Sequence, residues 1–311
     1  MPARRKVPAD HAAFDGLPVT MVTLGRAQAQ AAVYVAGRLS RTRVPLICVA
    51  GYHRNMSDFA DFLPIFAHLN GADWPVVLID LQGRGRSSDR PVKQTYGSPS
   101  DARDLSSVAT ALGIESAVFL GQGYGGQVVM ALAAQRPGLI AGAVLIDAGP
   151  VTDTRGIVRL RNNLAYIESL RGARQVLAGC KRMLASDHPG ASDGQLERLA
   201  LRTHYFDRRG RARPLFDAYL VKALQDFSLD DVLVAQWPLF DALKFAPLLL
   251  MRTQLTDQLR RETFEEMARR RAEAPAVTIM GQGSPALLDE TDEVSMIAQF
   301  VREASQRQLA A

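Results

Sequence analysis

Cysteine is almost missing from this 311-residue chain, which has only Cys48 and Cys180. That excludes a disulfide-stapled scaffold. Cys48 sits in the apolar run Leu46-Ile47-Cys48-Val49, where a thiol serves as a small buried hydrophobe, and a reducing, cytoplasmic setting is expected. No apolar stretch approaches eighteen residues, so no membrane partner or spanning helix is expected. The basic opening MPARRKVPADHAAFDG has no apolar segment behind it to read as a secretory signal. Neither charge sign dominates: 37 lysines and arginines face 32 acidic residues, a net charge of +5. That excess is too thin for a nucleic-acid binder. Histidine is the most telling shortage, because His11, His53, His68, His188 and His204 are the full set and none follows residue 204. The last third of the chain therefore offers no imidazole as a general base.

What is present is ordinary globular material, with 47% hydrophobic and 22% charged residues. The length suits two domains or one large domain carrying an insertion. Short apolar runs alternate with longer amphipathic ones. Residues 19–23 and 31–37 read as an antiparallel pair of strands, and 46–50, 76–80, 117–120, 140–147, 247–251 and 276–280 as further strands. Helical patterns over 58–70, 100–112, 124–135, 260–271 and 293–307 separate most of them. Nearly all-apolar strands alternating with helices predict an α/β fold whose mostly parallel sheet, of about eight strands, is flanked by helices. From 151 to 237 the rhythm breaks and only helical pattern with turn-formers remains. Residues 151–237 are therefore expected to form a helical lid on a core made by 1–150 and 238–311. Within the lid, Arg208-Arg209-Gly210-Arg211-Ala212-Arg213 reads as a solvated loop. Arg269-Arg270-Arg271 reads as a helix end, where cations suit the dipole.

Open parallel sheets place their sites at the carboxyl ends of the strands. The most informative such end is AVFLGQGYGG, residues 117–126. Gly121, Gly123 and Gly126 make a G-x-G-x-x-G, and Asp147 ends the next strand twenty-one residues on, the layout of a dinucleotide-binding turn. The same letters also fit a nucleophile elbow, G-x-S-x-G, with glycine in place of serine. Locally the two readings stay open.

Other segments weigh in. Asp80-Leu81-Gln82-Gly83-Arg84-Gly85-Arg86-Ser87 resembles the D-x-x-G-x-G-x-S segment of α/β-hydrolase fold enzymes. DLSSVATALGIESAVFLGQGYGG (104–126) is similar to that family's helix, strand and elbow, and RPGLIAGAVLID (136–147) to its next strand. Residues 247–257 resemble the segment carrying the family's acid, and GQGSPALLDE (281–290) the loop carrying its histidine. The resemblance is to lid-bearing small esterases, lactonases and carbon-carbon bond hydrolases, and it covers about 1–150 and 238–311. Carried over position by position, it sets the nucleophile on Gly123, the histidine on Ser284 and the acid on Asp257. Two of the three side chains are then absent. The resemblance further implies an oxyanion hole from the backbone N–H groups of Tyr52 and Tyr124, with His53 beside it. Gln122, Asp147, Trp237 and Phe240 are candidate pocket residues, and His204 with Tyr205 weaker ones. No metal and no cofactor is implied.

Without a positioned base, serine acyl-enzyme chemistry is not expected. The leading reading is a member of the family that binds a small carbonyl- or carboxylate-bearing ligand without such turnover. The alternatives are a lyase, isomerase or water-activating hydrolase using Asp257, His53, Tyr52 or the oxyanion hole, and a conventional ester or lactone hydrolase carrying substitutions. A dinucleotide binder is the remote fourth. A small molecule is the expected partner, and homo-oligomerisation is left open.

Overall fold

The computed structural model describes residues 7–25, 29–92 and 95–310. The first half of the chain runs β1 (Thr20–Leu24), β2 (Ala29–Ala36), β3 (Leu46–Val49), α1 (Phe62–Asn70), β4 (Val76–Asp80), α2 (Ser98–Ala111), β5 (Ala117–Gln122), α3 (Tyr124–Gln135) and β6 (Ile140–Ile146). An insertion follows with α4 (Thr154–Ser169), α5 (Ala173–Asp187), α6 (Asp193–Leu201), β7 (His204–Phe206), β8 (Ala212–Pro214) and α7 (Ala218–Lys222). Then come α8 (Trp237–Asp241), β9 (Leu248–Thr253), α9 (Arg261–Arg270), β10 (Ala276–Ile279) and α10 (Thr291–Ala310).

Eight strands form one sheet in the order β1-β2-β4-β3-β5-β6-β9-β10. β2 is antiparallel to both β1 and β4, and every later pair is parallel. Burial explains the arrangement: β3, β4, β5 and β6 are buried at every position, as strands covered on both faces must be. The outer strands β1 and β10 keep exposed positions. α1 and α10 cover one face with Phe62, Phe66, Ile297 and Val301. α2, α3, α8 and α9 cover the other with Leu105, Val129, Phe240 and Phe264.

The turn after β4 shows why its letters matter. Asp80 accepts from the amides of Met56 and Arg86, each at 2.8 Å, and its own carbonyl accepts from the Ser87 hydroxyl at 2.5 Å. A Cβ on Gly85, at φ +52°, would collide with the Asp80 carboxylate. The expected strandless insertion is corrected here, because β7 and β8 form a short antiparallel hairpin. The arginine-rich stretch 208–213 is its turn and second strand. Asp207 gathers that turn, accepting from the amides of Arg209 and Arg211 at 2.9 and 3.0 Å. Among the described residues, no helix is long and apolar enough to cross a membrane.

His188, just past α5, gives the fold a pH signature. It is 2% exposed and, among the described residues, neither ring nitrogen has a hydrogen-bond partner. Burial, reinforced by nearby Arg54, lowers its pKa to about 4. A free imidazole titrates near 6.5, so between these values the unfolded chain binds the extra proton. This contribution to stability is complete above about pH 6.5 and is lost as pH falls toward 4. Replacing His188 with leucine is expected to flatten the fall of unfolding free energy across that window, measured by denaturant titration. Parallel profiles for the two proteins would show that the ring is not held neutral.

Candidate active site

Glycine makes the turn between β5 and α3 possible. Gly123 has φ +50° and ψ −117°, a backbone that side chains rarely adopt. Its neighbours allow α3 to lie against the sheet: a Cβ on Gly121 would strike the Gly126 backbone, one on Gly125 the Val49 carbonyl, and one on Gly126 the Ala148 side chain. Gly121, Gly123 and Gly126, the three glycines of the G-x-G-x-x-G, are thus used for tight turning and close packing. Asp147 is committed as well. It sits at φ +51° and accepts from the Thr253 amide at 2.7 Å and the Thr253 hydroxyl at 2.6 Å. It holds β9 and is not free for a ribose, which removes the support for a dinucleotide turn.

Gly123, Asp257 and Ser284 line one cavity of about 490 Å³, together with Tyr52, His53, Gln122, Tyr124 and Asp147. One residue missing from the sequence reading stands between two of them. The side chain of Gln258 reaches the space above Gly123, so that a Cβ there would collide with its Oε1. Its Nε2 donates to the Ser284 hydroxyl at 2.9 Å. Asp257 faces the insertion, where it is paired with Arg159 of α4 through Nε and through Nη2, the latter at 2.9 Å. The same guanidinium donates to Asp187 at the end of α5 at 2.8 Å. The amide of Gly283 donates to the Asp187 carbonyl at 2.6 Å, so the 284 loop and the insertion meet here too.

A model of the alpha/beta hydrolase fold family matches residues 44–286. The chain belongs to that family. It is 31% identical to a serine hydrolase-like protein of Danio rerio over 103 residues, which is 33% of this chain and 30% of that protein. An alpha/beta hydrolase from Novosphingobium aromaticivorans DSM 12444 is 28% identical, with 92% of this chain and 98% of that one covered at a TM-score of 0.78. An E-2-(acetamidomethylene)succinate hydrolase is similar in fold, at 18% identity, a TM-score of 0.73 and 92% and 99% coverage.

In this α/β-hydrolase fold protein the loops around the cavity are set by a buried cation. Arg84 donates to the Tyr52 carbonyl at 2.8 Å and to Asp101 at 3.1 Å, and Asp101 also accepts from the Tyr124 hydroxyl at 2.7 Å. The residues bearing both expected oxyanion amides are thereby tied to one guanidinium. Tyr124 opens α3, where the first N–H groups of a helix have no intrahelical partner.

Burial governs the titrating groups. It pushes the Asp147 carboxyl up to about 7, against the two hydrogen bonds from Thr253. It pushes His53 well below the ordinary imidazole range and His204 down to about 4. Gln122 donates to the Ala286 carbonyl at 3.3 Å, while its Oε1 is buried without a partner.

Two expected pocket residues lie elsewhere. Phe240 is fully buried in the core beside α3, and Trp237 packs edge-on against it at 5.9 Å with the Arg270 guanidinium 3.9 Å over its ring. Neither lines the cavity. Tyr205 also packs away from it, edge-on to His11 at 6.3 Å. His204 does line the cavity, as do Gln258, Arg159 and Asp187. Gln258 had a sequence signal only in directly following Asp257. Arg159 and Asp187 had none, since nothing in a helical pattern says which carboxylate across the fold an arginine will meet.

Two outcomes follow from this geometry. Gly123→Ala is expected to lower unfolding free energy by about 1–3 kcal/mol, from the strained backbone and the displaced Gln258 amide. Unchanged stability in denaturant titration would argue against the elbow conformation. Arg159→Met and Asp257→Asn should each speed limited proteolysis within 154–187 several-fold while the global unfolding midpoint moves little, because local opening is governed by local contacts. Unchanged cleavage rates would show that this ion pair does not hold the insertion down.

Proposed function

We propose that this protein binds a small carbonyl-bearing molecule in a hydrolase-type cavity and does not turn it over by serine acyl-enzyme chemistry. On this reading the catalytic triad is degenerate: Gly123 stands at the nucleophile position, Ser284 at the histidine position, and Asp257 alone is retained. Residues 151–237 act as the lid. The observation that carries the reading is the Gln258 side chain. It spans from the space above Gly123 to the Ser284 hydroxyl, where a serine hydrolase needs its nucleophile and base in contact. A carboxamide is neither nucleophile nor base at neutral pH, so the gap is filled by a group that cannot do the missing chemistry.

The remaining groups suit binding. The N–H groups of Tyr52 and Tyr124 are the candidate donors to a carbonyl oxygen. A neutral carbonyl is favoured over a carboxylate because the cavity's arginines are already matched. Arg159 is shared by Asp257 and Asp187, and Arg54 is bound by Asp58. A cytoplasmic location fits two free thiols that are both buried, and no cofactor is invoked.

A second reading, an enzyme of the fold that moves a proton without an acyl-enzyme, is favoured by Asp147. Both of its oxygens accept from Thr253, yet each keeps a further lone pair, and burial pushes this cavity-lining carboxyl up to about 7, where a proton can be gained or lost near neutral pH, as general acid or base work requires.

The test begins with a fluorophosphonate probe and p-nitrophenyl esters. No covalent adduct and no turnover above a heat-treated control are expected. A stoichiometric adduct in the cavity, or a burst of released nitrophenol, would overturn the reading. Repair is the positive arm. Gly123→Ser with Ser284→His should stay inactive while Gln258 and Arg159 keep their places, and adding Gln258→Ala and Arg159→Met should bring measurable esterase activity, because nucleophile, base and acid work as one unit. Activity in Gly123→Ser alone would reveal another base.

A further inference from the structure

The cavity has further polar lining residues besides Gln258 and Ser284. Among them are His53, which follows β3, Thr203 and His204 at the start of β7, and Cys180 of α5. His53 and His204 stand edge-on to one ring, Phe216, with centroids 5.5 and 5.8 Å away and interplanar angles of 89° and 84°. Phe216 is therefore the spacer that fixes the two imidazoles relative to each other.

The Thr203 hydroxyl lies 2.9 Å from the Ala200 carbonyl and 3.0 Å from His204 Nδ1. Both contacts are made at once when the hydroxyl donates to the carbonyl and accepts from a protonated Nδ1, the tautomer that the subsite below requires and that leaves Nε2 as a lone-pair acceptor. The Cys180 sulfur lies 3.8 Å from the same Nδ1. His53 lines the cavity beside them, with its Nδ1 closed off from solvent and, among the described residues, without a hydrogen-bond partner.

Charge does not complete this group. Arg54 donates through Nε to Asp58 at 2.8 Å and through Nη2 to the other carboxylate oxygen. An anion would meet the lone pair of His204 with no uncompensated cation at hand. A hydroxyl can donate to that lone pair and accept from a neighbour in the same place. Apolar side chains make up much of the rest of the lining, Leu160, Leu164, Met183, Leu224 and Phe227 among them.

We propose that His53, Thr203, His204 and Cys180 form a recognition subsite for an uncharged hydroxyl, alcoholic or phenolic, on a ligand whose carbonyl is received at the Tyr52 and Tyr124 amides. The ligand class is a hydroxylated ketone or ester with an apolar body. This rests on the carbonyl-binding reading above, and the probes separate the two.

Calorimetric titration of the full chain uses benzophenone, 3- and 4-hydroxybenzophenone, and benzophenone-4-carboxylate. One hydroxybenzophenone isomer is expected to bind about five- to tenfold more tightly than benzophenone, the size of one added hydrogen bond. His204→Phe should erase that gain while leaving benzophenone affinity within about twofold. Thr203→Val, which removes the acceptor that fixes the tautomer, should reduce it. Long-range proton–nitrogen correlation of the imidazoles should show Nε2 of His204 unprotonated and shifted by the hydroxylated probe alone, a readout independent of how the variants fold. Benzophenone binding with no gain for either hydroxyl isomer would overturn the subsite and leave the carbonyl reading standing. Tightest binding by the carboxylate, with proton uptake, would overturn the uncharged class. Failure of every ketone to bind would overturn the carbonyl reading, and the subsite with it.

Discussion

The cavity depends on one buried cation. Arg84 is among the largest fully buried side chains of the protein. A charge taken out of water costs several kcal/mol unless hydrogen bonds and an opposite charge replace its hydration. Here the replacements are the Tyr52 and Gln82 carbonyls, at 2.8 and 2.7 Å, and Asp101 at 3.1 Å, with the rings of Tyr52, Tyr96 and Tyr124 each within 5.3–5.7 Å of the guanidinium. Moving any of these groups exposes part of that cost. The loop after β3, the elbow at α3 and the start of α2 are thereby fixed together, because each contributes to the same solvation shell. The insertion joins through the adjacent backbone, where Gly85 donates to the Leu215 carbonyl and Asp217 to the Gly83 carbonyl, both at 2.7 Å.

This coupling explains how the insertion is attached. On the Arg84 side it is held by backbone hydrogen bonds, by the Tyr52 hydroxyl donating to the Leu220 carbonyl at 3.1 Å and by Tyr96 donating to Asp217 at 2.7 Å. Near Asp257 it is held by ion pairs, Arg159 with Asp257 and Arg260 with Asp153, and by the Gly283 amide donating to the Asp187 carbonyl. Several of these groups are partly exposed, where salt and water weaken ion pairs.

The sheet was legible in the sequence because its strands are apolar throughout, a pattern that survives any detail of tertiary packing. Residues 76–80 agree with β4, and the strand expected at 117–120 runs only two residues further, to Gln122. The β7–β8 hairpin was not legible. Its strands are three residues each, too short for a period of two to register. The same division holds in the cavity. Gly123, Asp257 and Ser284 follow strand ends in recognisable loops, and they line one cavity. Trp237 and Phe240 were expected as walls from their aromatic character alone, yet the first turn of α8 carries them to the sheet face, and an apolar side chain is equally content in either place. Gln258, Arg159 and Asp187 become partners only through the closure of the insertion on the core.

Those three residues also make chemical sense of one another. A loop carboxylate that orients a catalytic imidazole must be free to accept from its ring N–H. Asp257 is instead held by a bidentate guanidinium, a stronger and geometrically more demanding partner than an imidazole. An arginine so placed would compete with any histidine for the same oxygens. With serine at 284 there is no such competitor, and a half-buried carboxylate without a cation would be penalised. The pairing with Arg159 removes that penalty and anchors the insertion in the same step. Gln258, in turn, occupies the volume that a side chain at 123 and a ring at 284 would need. The Arg159–Asp257 pair and the Gln258–Ser284 contact are thus set by neighbouring residues of one loop, so changing either alone leaves the other in place.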